Sequence, residues 1–170
     1  MPPPGEPADD EVALSLRVSR LETRLALSDL AARYCHLIDA RDYAGAAALF
    51  EEDGSLCVPD QRITGRREVQ AFLADQLERY EFTYHYVHSQ VVDVIEGERA
   101  HAIVDAHAEH AKDGSCVLAG IRYADVYHRH SSGWKFQERD LQIRYFLPWL
   151  ELGARYRRSR RFPAGLPLRL

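Results

Sequence analysis

Three side chains in this sequence could together move a proton. Asp39 ends the segment Tyr34-Cys-His-Leu-Ile-Asp39, His85 sits in Tyr84-His85-Tyr86, and Arg139 ends Gly133-Trp134-Lys-Phe136-Gln-Glu-Arg139. A carboxylate beside an imidazole fixes its tautomer and stabilises its protonated form. The imidazole can take a proton from carbon, and a guanidinium can take up the negative charge that develops. The set needs no cofactor. It works only if a helix end, a strand and a segment near the C-terminus converge.

The patterning supplies elements that could do this. Apolar residues recur at helical spacing from Glu11, at Leu14, Val18, Leu21, Leu25, Leu30, Tyr34, Leu37 and Ile38. Ser28-Asp29 reads as a restart, so two helical segments are expected, the second ending near Asp39. A short helix opens at Asp42-Tyr43 and runs through Ala46 toward Phe50. Glu52-Asp53-Gly54 reads as a turn, and Ser55 to Val58 as a short strand stopped by Pro59. Another helix begins at Thr64-Gly65 and carries Val69, Phe72, Leu73 and Leu77. The period then changes to 2, with strands expected at 82–95, 100–111, 116–130 and 134–146. Long strands with short Gly-containing turns make an antiparallel meander. The expected class is α+β: helices across the concave face of a curved sheet, leaving a cone-shaped cavity.

Strand parity sorts the other candidates. It puts His85, Val87, Ser89 and Val91 on one face of their strand and Tyr84, Tyr86, His88 and Gln90 on the other. One of His85 and His88 therefore faces the cavity, and parity alone does not choose. On the next strand His110 shares a face with Ala102, Val104, Ala106 and Ala108, whereas His107 shares one with His101, Asp105 and Glu109. His110 is thus the better second histidine. On the last strand, counting inward from Trp134 and Phe136 favours Arg144 over Arg139, unless a bulge resets the alternation. Tyr34, one turn before Asp39, is placed to line the cavity mouth. His85, His88, His107 and His110 do not make a metal site, because i,i+3 on a strand points to opposite faces. No H-E-x-x-H, G-x-S-x-G, P-loop or G-x-G-x-x-G occurs.

Bulk properties narrow the class. The 170 residues suit one domain, with 46% hydrophobic and 28% charged residues and a net charge of −4. No global field draws the chain to nucleic acid, although Arg155 to Arg161 form a basic tail within 151–170. Cys35, Cys57 and Cys116 are far apart and odd in number, which fits reduced thiols in a cytoplasmic protein. The acidic, proline-rich residues 1–10 are expected to be disordered and are not a signal peptide. No stretch reaches the length of a membrane span, so the single domain is placed at 11–150.

The chain resembles the SnoaL-like, or NTF2-like, superfamily of cone-shaped α+β barrels. Ala31 to Tyr43 and Leu49 to Gly54 look like its opening helices, and Tyr84-His85-Tyr86 with Gln90-Val-Val-Asp93 like its first long strand. Arg122-Tyr123-Ala-Asp125-Val-Tyr127 and Gly133 to Arg139 look like its last two strands. Within the superfamily the chain is most similar to the scytalone dehydratase and hexachlorocyclohexane dehydrochlorinase branch. That resemblance implies a dehydratase-like lyase or isomerase without cofactor or metal. It would act on a small cyclic apolar metabolite such as a polyketide, terpenoid or steroid-like intermediate. It implies an Asp39–His85 dyad, Arg139 and His110 as catalytic residues. Tyr34, Tyr123, His88, Arg144 and Tyr145 would be substrate contacts. A homo-oligomer, dimer or trimer, is expected from an exposed sheet face. Leu37 to Gly54 also resembles the non-catalytic small subunit of ring-hydroxylating dioxygenases. A ligand-binding member of the fold is a further alternative.

Overall fold

A computed structural model describes residues 7–151, and the expected basic tail lies outside them, as do residues 1–6. Helix α1 runs unbroken from Pro7 to Asp39. The restart expected at Ser28-Asp29 does not occur. Both side chains are exposed, so neither competes for the backbone, and no Gly or Pro interrupts the run. The helix also begins before Glu11, inside the stretch expected to be disordered. Arg41, at φ 62°, turns the chain sharply after Asp39, and Asp42 caps α2 (Tyr43–Ala48) by accepting from the Gly45 N–H at 2.8 Å.

Strand β1 (Phe50–Val58) runs straight through Glu52-Asp53-Gly54, where a turn was expected, and a register irregularity between Phe50 and Ser55 absorbs the glycine. β2 (Gln61–Thr64), α3 (Arg66–Leu77), β3 (Phe82–Glu96), β4 (Arg99–Lys112), β5 (Ser115–His130) and β6 (Gly133–Pro148) follow. β3 to β6 form the expected meander. The sheet as a whole is mixed, in the order β2-β1-β6-β5-β4-β3, because β1 pairs parallel to β6.

The second half of α1 and the whole of α3 cover the concave face. Leu27, Leu30, Tyr34 and Ile38 of α1 are buried together with Phe50, Leu56, Tyr127 and Phe136. A satellite core of Val104, Ala106, Ala108, Ala119, Ile121 and Tyr123 continues along β4 and β5. Ala31 of α1 packs into this satellite core, and a space stays unfilled between α3 and the sheet. That space is the candidate site.

Candidate active site

Asp39 is the last residue of α1, where the helix dipole disfavours a carboxylate. Three donors from β3 offset this. Oδ2 accepts from the His85 backbone N–H at 2.8 Å, and Oδ1 accepts from Thr83 Oγ1 at 3.1 Å and lies 2.6 Å from His85 Nδ1. A carboxylate has only acceptors, so Nδ1 carries the proton and Nε2 presents a lone pair. Both side chains are shielded, His85 at 5% and Asp39 at 14% exposure.

His85 opens onto a cavity of about 260 Å³ between α3 and the sheet. This lies near the lower edge of small-molecule sites, roughly 300–1,000 Å³. Its walls are apolar, from Leu56, Phe72, Ile121, Leu141, Ile143 and Phe146 among others. The polar groups are His85, His110, Tyr34, Tyr123, Tyr80 and Gln76. No Asp, Glu, Lys or Arg lines it among the described residues.

His110 stands perpendicular to His85, with ring centroids 5.5 Å apart, and is tilted over Tyr80 at 4.7 Å. Its Nδ1 is buried without a partner. Burial, assisted by the neighbouring His85, pushes its pKa down to about 4, so it is neutral at pH 7.

Arg139 is buried beneath this floor. It makes a two-point pair with Asp125, Nε to Oδ1 and Nη2 to Oδ2, both 2.9 Å. Its guanidinium lies 4.5 Å from the Tyr34 ring centre and 4.0 Å from that of Tyr123. Tyr127 donates to Asp125 Oδ2 at 2.7 Å. Burial opposes the charge on Arg139, but Asp125 outweighs it and the pKa is raised. The Arg139 side chain does not line the cavity, so the expected direct contact with developing charge is corrected. It supports the two tyrosines that do line it. Burial raises the pKa of both phenols, keeping them neutral donors.

Bulges decide which candidates face inward. On β6, Gln137 is the extra residue between the Val126–Glu138 and Tyr127–Phe136 pairs, and it turns Arg139 in. Arg144 is extra between Gly120–Tyr145 and Ile121–Ile143, so it is exposed and lies outside the cavity lining. Tyr145 packs across Gly120, where an added Cβ would lie 2.3 Å from its ring. It too is absent from the lining, contrary to expectation. On β3, His88 is extra between Val87–Ala106 and Ser89–Asp105. Parity holds for Tyr84 to Val87 and reverses afterwards, so Gln90 bonds Tyr127 inside while Val91 is exposed. His88 lies outside, stacked on His107.

Some residues escaped sequence reading. Arg41 donates to the Tyr43 hydroxyl and to the Leu77 and Tyr80 carbonyls, tying the end of α3 to the turn after Asp39. Nothing in its spacing marks it. Asp125 had a signal: an acid between Tyr123 and Tyr127 on an apolar face requires a cation. His128-Arg129-His130 forms an H-x-H pair, and both rings contact Glu51 Oε1, at 3.1 and 2.7 Å. Among the described residues, no His, Cys, Asp and Glu group has the geometry to hold a metal. Burial raises the Cys35 thiol to about 11, which makes it inert at neutral pH. No helix of the described residues is long and apolar enough to cross a membrane.

Helices followed by a curved mixed sheet that they cover, with a cavity left between, are the architecture of the NTF2-like class. The chain belongs to the SnoaL-like domain family, whose profile matches residues 19–140. Solved structures agree on the fold. A "putative scytalone dehydratase" from Novosphingobium aromaticivorans is 21% identical over 78% of this chain and 91% of its own, with a TM-score of 0.72. A hexachlorocyclohexane dehydrochlorinase from Novosphingobium barchaimii is 20% identical over 78% and 93%, with a TM-score of 0.70. A "putative aromatic ring hydroxylase" from N. aromaticivorans is 23% identical over 77% and 96%, with a TM-score of 0.70. Among curated proteins, none matches.

Proposed function

We propose that this protein is a cofactor-free lyase or isomerase in which His85, oriented by Asp39, is the general base. The observation that carries the reading is the 2.6 Å Asp39–His85 contact at the wall of an uncharged, apolar cavity. Nε2 takes a proton from a substrate carbon next to an activating group. The C–H electron pair becomes a new π bond, and a leaving group on the adjacent carbon departs with its own electron pair. If that group is hydroxyl, the proton returned from the His85 imidazolium makes it water. Tyr34, Tyr123 and neutral His110 are the donors available to a substrate oxygen. A cavity without charged lining favours a small, neutral cyclic substrate, such as a polyketide, terpenoid or steroid-like intermediate.

The test is incubation of cyclic hydroxyketones and halocarbons with wild type in D₂O, following elimination and deuterium uptake by mass spectrometry. Wild type should convert or exchange at least one substrate, and Asp39→Asn should lose most of that rate. Turnover in Asp39→Asn equal to wild type would remove the dyad from the mechanism.

A further inference from the structure

The first half of α1 buries none of its described side chains before Thr23, although Ser19 and Glu22 border a shallow pocket with Arg129 and Trp134. Every described side chain from Asp10 to Glu22 is exposed, and the first buried one is Thr23. An unsupported helix of this length is marginal in water. Yet this one displays Leu14, Val18, Leu21 and Leu25, exposed by 44–67%. An apolar stripe of this kind on a soluble helix marks a contact.

The spacing of the four residues is 4-3-4, which is a heptad seam with Leu14 and Leu21 at d and Val18 and Leu25 at a. The seam lies on the side of the helix opposite Thr23, Leu27, Leu30 and Tyr34, which face the sheet. It therefore points away from both the body and the cavity. Leu at d with β-branched Val at a favours two parallel strands.

The flanking charges agree. Arg17 and Arg24 occupy g, and Glu22 and Asp29 occupy e. In a parallel, in-register pair each g residue faces the e residue five positions on in the other strand. Arg17 then meets Glu22 and Arg24 meets Asp29, twice each by symmetry. Antiparallel pairing would instead set Arg17 against Arg24. Arg24 also donates to the Val92 carbonyl at 3.1 Å, so it lies on the body side of the seam. Over Asp9 to Leu25 the acids Asp9, Asp10, Glu11 and Glu22 nearly balance Arg17, Arg20 and Arg24. That balance does not suit an anionic membrane surface, which selects basic helices.

We propose that α1 of a second copy of this chain covers this stripe, forming a parallel two-stranded coiled coil over Leu14 to Ser28. The bodies then sit on opposite sides of the coil with both cavities open.

The test is sedimentation velocity of the full chain from about 1 to about 100 µM, because a short seam should dissociate on dilution. Wild type should dimerise. Leu21→Lys, which sets a lysine into the seam of both strands, should weaken association by about 10-fold or more. Arg17→Glu should weaken it by about 2- to 5-fold, and Arg17→Glu combined with Glu22→Arg should restore it. All these positions are exposed, and far-UV circular dichroism checks that the body remains folded. A wild type that stays monomeric at the highest concentration overturns the proposal, as does an assembly unchanged by Leu21→Lys. An Arg17→Glu defect that the double swap fails to rescue overturns the parallel arrangement.

Discussion

The two faces of the β3–β6 sheet carry nearly the same chemical kit. Inside, His85 and His110 lie together and Arg139 makes a two-point pair with Asp125. Outside, His88 stacks on His107 at 4.7 Å and Arg122 makes a two-point pair with Asp105, at 2.7 and 3.0 Å. The distances are alike and the consequences differ. The inner ion pair is 0% exposed on both sides, and the outer pair is 39% and 41% exposed. The inner His85 has a carboxylate on Nδ1 and a cavity before it. The outer His88 has the Nδ1 of another imidazole 2.6 Å from its Nε2, and water. Residue type and pairing therefore do not mark the site. Enclosure does, because it strengthens each charge interaction and makes each unpaired group costly.

The largest expected effect sharpens the histidine half of the comparison. A correctly placed general base contributes about 10²–10⁴-fold. His85→Ala should lower turnover of the substrate found by screening by that factor, with unfolding little changed. His88→Ala should leave turnover within about twofold of wild type, since surface changes away from the site usually do little. If both variants lose activity alike, the inner and outer histidines do not differ in role.

Next is the pair of ion pairs. Arg139→Met leaves Asp125 charged and sealed among Tyr127, Phe136 and Tyr123, which should cost about 3–5 kcal/mol of stability. Urea unfolding measures it. Replacing both partners, Arg139→Met with Asp125→Leu, should recover most of that loss, because the uncompensated charge is gone. Arg122→Met on the outer face should leave the urea midpoint where it was, since exposed pairs are screened and hydrated. Equal shifts for Arg139→Met and Arg122→Met would show that burial is not what separates the faces.

Much of this was legible in the sequence because it rests on period. Helical spacing carried Asp39 to the end of α1, and period 2 put His110 with Ala102 to Ala108 on the inner face. Neither period reveals where alternation breaks. His88, Gln137 and Arg144 are each an extra residue in their strand, and each reverses the faces beyond it. These bulges accommodate the curvature of a sheet wrapped around α1 and α3, which is a tertiary demand with no local code. The same limit hid the parallel pairing of β1 with β6 and the reach of Arg41 to α3. Helix continuity through Ser28-Asp29 escapes the local pattern for the opposite reason: a preference for capping is outvoted by helix on both sides.

The smallest expected effect is the pH dependence of the second histidines. His110 is pushed down to about 4, first by burial and then by His85, and Arg41 adds to this while Asp39 opposes it. His107 is also lowered, by burial and by His88. Between the unfolded value near 6.5 and the folded value, the unfolded chain binds a proton that the folded chain does not. Stability contributed by neutral His110 is therefore complete above about pH 6.5 and lost as pH falls through that window to about 4. His110→Phe keeps a ring against Tyr80 and Phe146 and removes the proton, so its urea midpoint should fall less than wild type's between pH 7 and pH 4.5. His107→Phe should change the slope in the same direction by a smaller amount, because that ring is more open to water. ¹⁵N chemical shifts provide a direct reading. An inner ring that titrates near 6.5 would mean that the cavity wall is wetter than its apolar lining implies, and that the two faces differ less than the inner and outer ion pairs indicate.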